Sequence, residues 1–326
     1  MKFDFLISSE RSGSNLITKL IDNHSLYCGP TPPHLLRVFD PVMDKYGNLE
    51  EEANWDAFIK DIHDFFYCKI GVWKSDFSKE ELKSVAPRTL ANVVRYIYEK
   101  EAKAHHKTKV FVKEVRTYDF FNAVVQGFDD AKFIWLVRDP RDMALSWSKS
   151  PVHRGDIVRS ARVWAKNQSE TLKLFKQFPD KILLVKYEDL ILNQDAELQK
   201  ICNFLDIAYE TTMVDYHKNK ISRENAVQTD NWKNLDKSII KDNSKKYLKS
   251  LTKEQIQFIE YVCQHEMEAL NYPFEFPVLS AEEFDVIEPL LQREERHEKA
   301  EYQLIDDEEK RKREKWYKKF TEIQEL

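Results

Sequence analysis

The stretch FDFLISSERSGSNLI, residues 3–17, predicts the local fold around which the rest of the chain can be interpreted. Residues 3–8 are an apolar run without Pro or Gly, which is typical of a buried strand. Residues 9–14 are mostly small and polar and include the cation Arg11. From Asn15 onward the apolar residues recur at helical spacing. The sequence therefore predicts a strand, a short polar turn and the start of a helix.

The turn between this strand and this helix is predicted to bind an anion. Backbone N–H groups at a helix N-terminus point into the turn, and the helix dipole adds positive potential there. Gly13 permits close backbone approach or a positive φ angle, and Arg11 adds a fixed charge. The stretch lacks the pattern GxxxxGK[ST], whose hydroxyl binds Mg²⁺ in nucleoside triphosphate enzymes. Taken alone, it is equally typical of an ordinary strand–turn–helix with a Ser-rich cap.

The order of the remaining apolar segments predicts an α/β fold, with a P-loop-like parallel sheet flanked by helices. Further strands are expected at residues 109–113, 132–137 and 181–187. Helices are expected at residues 118–128, 157–178, 194–205 and 253–270. Residues 24–34, with three Pro and one Gly, are expected to form an irregular loop, and residues 218–234 a long polar loop.

A helical insert is predicted over residues 49–107, between the strand at residues 3–8 and the strand at residues 109–113. Residues 55–66 and 87–104 show helical periodicity, and Pro87 is expected at a helix start. The insert carries the aromatic residues Trp55, Phe65, Phe66 and Trp73. We expect the insert to shape the acceptor side of a pocket.

The charge distribution separates the C-terminal tail from the rest of the chain. The formal net charge of the 326 residues is −5, and residues 280–326, with 15 acids and 10 bases, account for it. The near-neutral body gives no indication of nucleic-acid binding. We therefore predict one α/β domain over residues 1–279 and a charged helical extension over residues 280–326.

The extension is expected to be a solvated helix with one apolar stripe. Four acid–base pairs at i,i+4 spacing lie within residues 306–313, and such pairs stabilise exposed helices. Trp316, Phe320 and Ile323 form the stripe, so the helix is expected to pack on the body or on a second subunit. A homo-oligomer formed through this helix is therefore left open.

The cysteines and the N-terminus predict a cytoplasmic protein. Cys28, Cys68, Cys202 and Cys263 are scattered and have no His at metal-ligand spacing, which favours reduced thiols over a zinc site. The predicted strand starting at Phe3 leaves no room for a signal peptide. No apolar run reaches membrane-spanning length, so no membrane span is expected.

A second ligand-binding segment is predicted where the strand at residues 132–137 ends. It reads VRDPRDMALSWSK, residues 137–149, and places Arg138 at the carboxyl edge of the sheet, where ligands bind. Arg138 and Ser146, eight residues later, can bind a phosphate, although a local ion pair between Arg138 and Asp139 is the alternative. Asp139 is expected to cap the next helix, with Pro140 at its first position.

These segments together resemble the sulfotransferases that use 3′-phosphoadenosine 5′-phosphosulfate (PAPS), of the bacterial-like cytosolic type. SSERSGSNLI, residues 8–17, resembles their 5′-phosphosulfate-binding loop, and residues 137–149 resemble their 3′-phosphate-binding segment. KYEDL at residues 186–190 and NWKN at residues 231–234 are similar to weaker family segments, the second to the loop that closes over the nucleotide. The resemblance covers residues 3–276.

The resemblance implies a parallel sheet related to that of nucleotide kinases, PAPS as co-substrate, no metal, and sulfuryl transfer to a hydroxyl or an amine. It assigns catalytic roles in sulfuryl transfer to Arg11 and Lys113. Many members of the family have Lys at the position of Arg11. Its nucleotide-binding residues would be Arg11, Ser12, Gly13, Ser14, Asn15, Arg138, Ser146, Tyr187, Trp232 and Lys233. Tyr187 would lie against adenine, with Trp164 as the weaker candidate.

The general base is predicted to be His34. Related enzymes often carry a Glu in the loop after the first helix, but residues 28–34 read CGPTPPH and contain no carboxylate. A neutral imidazole can take the acceptor's proton during in-line transfer. Glu114 is the rival base, and a structural ion pair is its other expected role.

The acceptor is not specified by the sequence, and two other functions remain open. A small molecule, a glycan, a lipid or a peptide tyrosine would each fit. A nucleotide-dependent kinase on the same sheet would need Mg²⁺ and ATP. A non-catalytic, sulfotransferase-like interaction module would use the tail for association.

Overall fold

The strands of the computed structural model form one parallel sheet with β1 in its centre. The model describes residues 1–326, with only the backbone described at Asp230. The strands are β1 Lys2–Ser8, β2 Tyr27–Cys28, β3 Lys109–Lys113, β4 Phe133–Val137 and β5 Ile182–Lys186. Their order is β2-β3-β1-β4-β5, and every neighbouring pair is parallel. The α/β class and the parallel, P-loop-like sheet are confirmed.

Helices follow the strands and cover both faces of the sheet. In chain order the α-helices are α1 Ser14–Asp22, α2 Leu35–Phe39, α3 Glu52–Phe66, α4 Lys79–Lys83, α5 Leu90–Ala104, α6 Phe121–Gly127, α7 Pro140–Ser148, α8 Ile157–Gln177, α9 Tyr187–Leu192, α10 Gln194–Phe204, α11 Lys220–Ala226, α12 Tyr247–Ser250, α13 Lys253–Val262, α14 Gln264–Ala269, α15 Ala281–Glu294 and α16 Asp307–Gln324. The 3₁₀ segments are Asp40–Tyr46, Thr117–Phe120, Thr211–Lys218, Asp230–Trp232 and Ala300–Leu304.

The sequence-based assignment was wrong at three places in the chain. The edge strand β2 lies inside residues 24–34, which were expected to be irregular throughout. Residues 218–234 are not a loop, because α11 and a 3₁₀ turn occupy much of them. Pro87 does not start its helix: α5 begins at Leu90, since the Thr89 side chain accepts a hydrogen bond from the Asn92 N–H and caps it.

Alternating strand residues build two cores, one on each face of the sheet. On one face Phe3, Phe5 and Ile7 pack with the insert helices and with α8. On the other face Leu6 packs with residues of α1, α9 and α10, including Ile17. Successive side chains of a strand point to opposite faces, so the near-continuous apolar runs indicate a sheet that is buried on both sides.

The strand order creates a crevice at the carboxyl ends of β1 and β4. The chain leaves β1 toward the β3 side of the sheet, whereas it leaves β4 toward β5. Ligands of open α/β sheets bind where neighbouring strands diverge in this way. The turn after β1 and the segment after β4 are therefore brought to one place.

The C-terminal helix α16 packs on the body of the same chain. Ile323 is 1% exposed, and Trp316 and Phe320 pack against the core that contains the insert. Two of the four i,i+4 ion pairs expected from the sequence are found, Glu308–Lys312 and Glu309–Arg313, whereas Lys310 pairs with Asp307 at i,i+3 spacing. The apolar stripe of the helix is thus used within the chain.

Gly13 is required for two separate reasons in the turn between β1 and α1. It has a φ angle of 90°, in the left-handed region, where it precedes the first residue of α1. A Cβ atom added to it would lie 2.4 Å from Cδ2 of Tyr187, well inside van der Waals contact. The positive φ angle and the close approach therefore both exclude a larger residue.

We expect Gly13→Ala to lower the free energy of unfolding by at least about 2 kcal/mol. Left-handed backbone costs an L-residue about 1–2 kcal/mol, and overpacking adds about 1–3 kcal/mol. Chemical denaturation measures the change. In a Tyr187→Ala background the same substitution should cost only about 1 kcal/mol, since the overlap is gone. Equal costs in the two backgrounds would contradict the role of the close approach.

Candidate active site

A cavity of about 460 Å³ opens at the carboxyl ends of β1 and β4. It brings together most of the residues predicted to bind the nucleotide. Those lining it are Arg11, Gly13, Ser14, Asn15, Arg138, Ser146, Tyr187, Trp232 and Lys233. Three other predicted site residues, Ser12, His34 and Lys113, are not part of this lining. Segments more than 200 residues apart in the chain therefore share one cavity.

The cavity is positively charged. Its described lining contains five permanently or normally cationic residues: Arg11, Arg138, Lys149, Lys233 and Lys246. Asp142 is the acid among the lining residues, and its carboxylate accepts the backbone N–H groups of Lys245 at 2.6 Å and Tyr247 at 3.1 Å. Arg138 is buried and Arg11 is half-buried, whereas the three lysines are exposed. This excess of positive charge favours an anionic ligand.

Arg138 is held in place by backbone carbonyls and by a ring. Its two terminal nitrogens donate to the carbonyl oxygens of Arg11 and Asn243, each at 3.0 Å. Its guanidinium lies 4.6 Å from the ring centroid of Tyr187, whose hydroxyl accepts a 2.7 Å hydrogen bond from Asn243. The ion pair with Asp139 is not formed, because Asp139 pairs with Arg141 instead. Asp139 caps α7 as predicted, with Pro140 as its first residue.

One nitrogen of Arg138 remains for a ligand. Its Nε is buried and has no hydrogen-bond partner within the described part of the chain. The hydroxyl of Ser12, in the turn after β1, is in the same condition. Buried polar groups are nearly always paired in folded proteins, so these two atoms mark positions where a bound group would complete the site.

Arg11 connects the two predicted phosphate-binding segments. Its Nε donates to the hydroxyl of Ser146 at 3.1 Å, and its Nη1 donates to the side-chain oxygen of Asn231 at 2.6 Å. Arg11 has a φ angle of 63°, which turns the loop after β1 toward these partners. The side chain thus lies between the segment at residues 137–149 and the late loop at residues 231–234.

The sequence-based assignment of roles missed three polar residues of the site. Asn231 belongs to the NWKN stretch, so its motif was visible although its contact with Arg11 was not. Ser150 lines the cavity and lies 3.2 Å from the side-chain oxygen of Asn231 and 2.7 Å from Nδ1 of His153. Asn243 bridges Arg138 and Tyr187 from a Lys-rich segment that carries no recognisable signal.

Lys113 lies at the carboxyl end of β3 and reaches the β1–α1 turn. It is buried, and its ammonium group donates to the side-chain oxygen of Asn15. Burial, together with the nearby charges of Lys19 and Arg11, lowers the pKa of Lys113 to about 7. Its charge therefore changes near neutral pH, whereas the charge of Arg11 does not.

His34 and Glu114 occupy neighbouring positions at the start of α2. His34 precedes the helix with a φ angle of 62°. The two carboxylate oxygens of Glu114 accept the backbone N–H groups of Leu36 at 3.2 Å and Arg37 at 2.8 Å. Burial raises the pKa of Glu114 to about 7. Glu114 thus holds the N-terminus of α2, and with it the position of His34.

His34 is a neutral, partly shielded imidazole. Burial, with smaller effects from Arg37 and Lys113, holds its pKa well below the usual value. Its Nδ1 is buried and has no hydrogen-bond partner among the residues described. A neutral ring with an uncommitted nitrogen can accept a proton at pH 7.

The two aromatic residues expected near adenine lie in different surroundings. Tyr187 lines the cavity, where its ring packs on Gly13 and on the Arg138 guanidinium. Trp164 is fully buried and donates from its indole nitrogen to the Arg138 carbonyl at 2.9 Å. The weaker expectation for Trp164 is therefore wrong: the residue supports Arg138 from the core.

Metal-ligand clusters and spanning helices were sought over the same described residues. They contain no group of three or more His, Cys, Asp or Glu arranged to hold a metal ion. Among the helices given above, none combines the length and the apolar character needed to cross a membrane.

Comparisons with known proteins agree with this geometry. The model of the sulfotransferase family matches residues 5–211. The protein-tyrosine sulfotransferase of Drosophila melanogaster is 21% identical over 234 residues, which cover 70% of this chain and 42% of that protein. A candidate protein-tyrosine sulfotransferase of Caenorhabditis briggsae is 31% identical over 96 residues, 28% of this chain and 34% of that protein. The chain spans less than half the length of these two relatives.

A solved structure shows the same fold. The sulfotransferase domain from the olefin synthase of Synechococcus PCC 7002 superposes with a TM-score of 0.61 at 20% identity. The match covers 85% of this chain and 96% of that domain. Since the family model covers well over half of the chain, including residues 8–17 and 137–149, this chain belongs to the sulfotransferase family.

Proposed function

We propose that this chain transfers a sulfuryl group from PAPS to a hydroxyl or amine of an acceptor. The observation that carries the proposal is the direct contact of Arg11 with Ser146 across a positively charged cavity. This contact joins the two segments that resemble the 5′-phosphosulfate and 3′-phosphate sites. A donor with phosphates at both ends of its ribose fits such an arrangement.

The atoms left unpaired in the site support the same ligand. The Nε of Arg138 and the hydroxyl of Ser12 are buried donors without partners in the described chain, and phosphate oxygens would satisfy both. Arg138 and Ser146 would hold the 3′-phosphate. The amides at the start of α1, with Ser14 and Asn15 beside them, would hold the 5′ side.

The residues of the chain then divide the work of transfer. PAPS supplies a sulfuryl group whose leaving group is a phosphate. Arg11 and the backbone N–H groups of Ser12, Gly13 and Ser14 would stabilise the charge that grows on that phosphate. Lys113 would add a positive charge from the end of β3. His34 would take the proton of the acceptor during in-line transfer, and Trp232 and Lys233 would close over the nucleotide.

The acceptor follows less directly from these residues. The relatives described above are named for the tyrosine side chain of proteins. We therefore propose a phenolic hydroxyl as the first acceptor to test, with amines, glycans and lipids as further members of the panel. Burial of the insert aromatics Trp55, Phe65 and Phe66 shows that these three belong to the core of the chain.

The donor site predicts a defined ligand preference. Adenosine 3′,5′-bisphosphate at about 100 times its dissociation constant should stabilise the chain by about 2.7 kcal/mol. A thermal-shift titration compares it with 5′-AMP and with Mg-ATP, with and without chelator. Stabilisation by the bisphosphate that is unaffected by chelator supports the proposal. Preference for Mg-ATP would favour a kinase, and no shift with any ligand would favour a non-catalytic module.

Arg138 should provide the preference for the 3′-phosphate. We expect Arg138→Met to weaken the bisphosphate about 10- to 100-fold, since hydrogen bonds to charged groups contribute about 1.5–3 kcal/mol. Affinity for 5′-AMP should change less than about threefold. Lys246→Met, which removes a charge from the rim of the same cavity, is the matched control. Equal losses for the two nucleotides would show that Arg138 acts only through the structure of the site.

The lowered pKa of Lys113 predicts a pH dependence of donor binding. Anion binding favours protonated Lys113, so affinity for the bisphosphate should fall as the pH rises above about 7, by no more than about tenfold per pH unit. Calorimetric titrations between pH 7 and 9 measure this decline, because the phosphates, with a second pKa of about 6, are already largely ionised there. In Lys113→Arg the decline should disappear, since arginine stays protonated. A decline that persists in this variant would assign the titration to another group.

His34 should affect the turnover number and not the affinity for the donor nucleotide. We expect His34→Ala to lower the turnover number by about 10²-fold or more, as loss of a general base does. Its affinity for adenosine 3′,5′-bisphosphate should stay within a few-fold of wild type. Glu114→Gln, which keeps the hydrogen-bonding shape but removes the charge, tests the rival base. Unchanged turnover in His34→Ala would remove His34 from this role.

A further inference from the structure

The C-terminal helix α16 places an aromatic side chain directly on the candidate base. The ring of Trp316 meets the His34 ring edge to face, with centroids 6.1 Å apart and an interplanar angle of 79°. On its other sides Trp316 contacts Phe65 of α3 at 5.5 Å and stacks on Phe320 at 5.2 Å. Trp316 is thus packed between His34 and two aromatic residues, one of α3 and one of α16.

On the N-terminal side of Trp316, α16 is hydrogen-bonded to the segment that precedes Asn231. Arg313 donates to the hydroxyl of Thr229 at 2.8 Å, and Glu309 is hydrogen-bonded to the same hydroxyl. Lys312 donates to the side-chain oxygen of Gln228 at 2.9 Å. These contacts tie α16 to the segment that leads into Asn231, the partner of Arg11.

On the C-terminal side of Trp316, α16 is bonded to α3 and α2. Lys319 forms a 3.0 Å ion pair with Asp61 of α3, and both side chains are largely buried. The side chain of Gln324 donates to the carbonyl of Val38 in α2 at 2.9 Å. Because α16 is held on both sides, Trp316 is fixed over His34 by several independent contacts.

One nitrogen of His34 is shielded by the surrounding side chains. Its Nδ1 is buried and has no partner in the described chain, whereas the residue as a whole is partly exposed. Trp316 packs against Phe65, which is fully buried, so the indole lies on the core of the chain. In a transferase, a base that deprotonates water promotes transfer of the sulfuryl group to water instead of to the acceptor.

We propose that Trp316 shields the buried Nδ1 of His34 from water, and so prevents loss of the sulfuryl group to water. This inference rests on the proposed function. Without the indole, a water molecule could give its proton to His34 while its oxygen bonds to sulfur and the bond from sulfur to the phosphate oxygen breaks. The products are sulfate and adenosine 3′,5′-bisphosphate, and both protons of the water leave to solvent, the first through His34. Trp316 is thus a positioning residue that selects the acceptor over water.

The first experiment measures hydrolysis of PAPS in the absence of any acceptor, as release of the bisphosphate by chromatography. We expect Trp316→Ala to raise this rate about tenfold or more, because water gains access to the base. Trp316→Phe, which keeps a covering ring, should stay near the wild-type rate. Tyr317→Ala, at a neighbouring position that is 57% exposed, is the matched control and should have no effect. Adding His34→Ala to Trp316→Ala should abolish the increase.

The second experiment measures access to His34 without using turnover. Carbethoxylation of His34 by diethylpyrocarbonate is followed by peptide mass spectrometry, and Trp316→Ala should accelerate it severalfold over wild type and over Tyr317→Ala. If Trp316→Ala loses its cooperative unfolding transition, Trp316→Leu replaces it. Binding of the bisphosphate to each variant is measured in parallel.

These measurements separate the inference from the proposed function. If the bisphosphate binds but neither hydrolysis nor labelling rises in Trp316→Ala, the inference is overturned and the proposed function stands. A rise in hydrolysis that survives loss of His34 also overturns it. If the wild-type chain binds no bisphosphate, the proposed function fails, and labelling alone decides whether Trp316 covers His34.

Discussion

The guanidinium of Arg138 is the interaction on which the rest of the site depends. It ties the carboxyl end of β4 to the loop after β1 through the carbonyl of Arg11, and to a distant segment through the carbonyl of Asn243. It also lies on the ring of Tyr187, which packs against Gly13. One side chain therefore joins four segments that meet at the switch point of the sheet. Two of its nitrogens are used for this purpose, and the third, Nε, is buried and has no partner in the described chain.

Burial decides the electrostatic character of the site more than the number of charges does. It lowers the pKa of Lys113 to about 7 and raises that of Glu114 to about 7, so both groups titrate near neutral pH. It also keeps His34 neutral. Arg11 differs from these three residues, because an arginine side chain stays protonated in proteins.

The contacts of α16 extend the site beyond the part of the chain that matches the family model. That match ends at residue 211, whereas Asn231, Asn243 and Trp316 all lie after it. The hydroxyl of Thr229 is bonded both to α16 and, at 3.4 Å, to the backbone N–H of Asn231. The late loop and the C-terminal helix are therefore connected by hydrogen bonds, and the late loop contacts the loop after β1 through the side chains of Asn231 and Arg11.

The sequence by itself determined the sheet, the turn after β1 and the location of Arg138 and Ser146 in one segment, because these depend on local patterns of apolar, small and capping residues. It missed the strand β2, whose two residues pair only with a strand about 80 positions later. It also missed that Glu114 caps α2, that Trp164 supports Arg138, and that Trp316 covers His34. Each of these depends on residues far apart in the chain, and nothing in the local pattern of either partner specifies the other. Tertiary structure alone decided them, because only packing of the helices on the sheet brings such side chains within contact distance and removes the water around them.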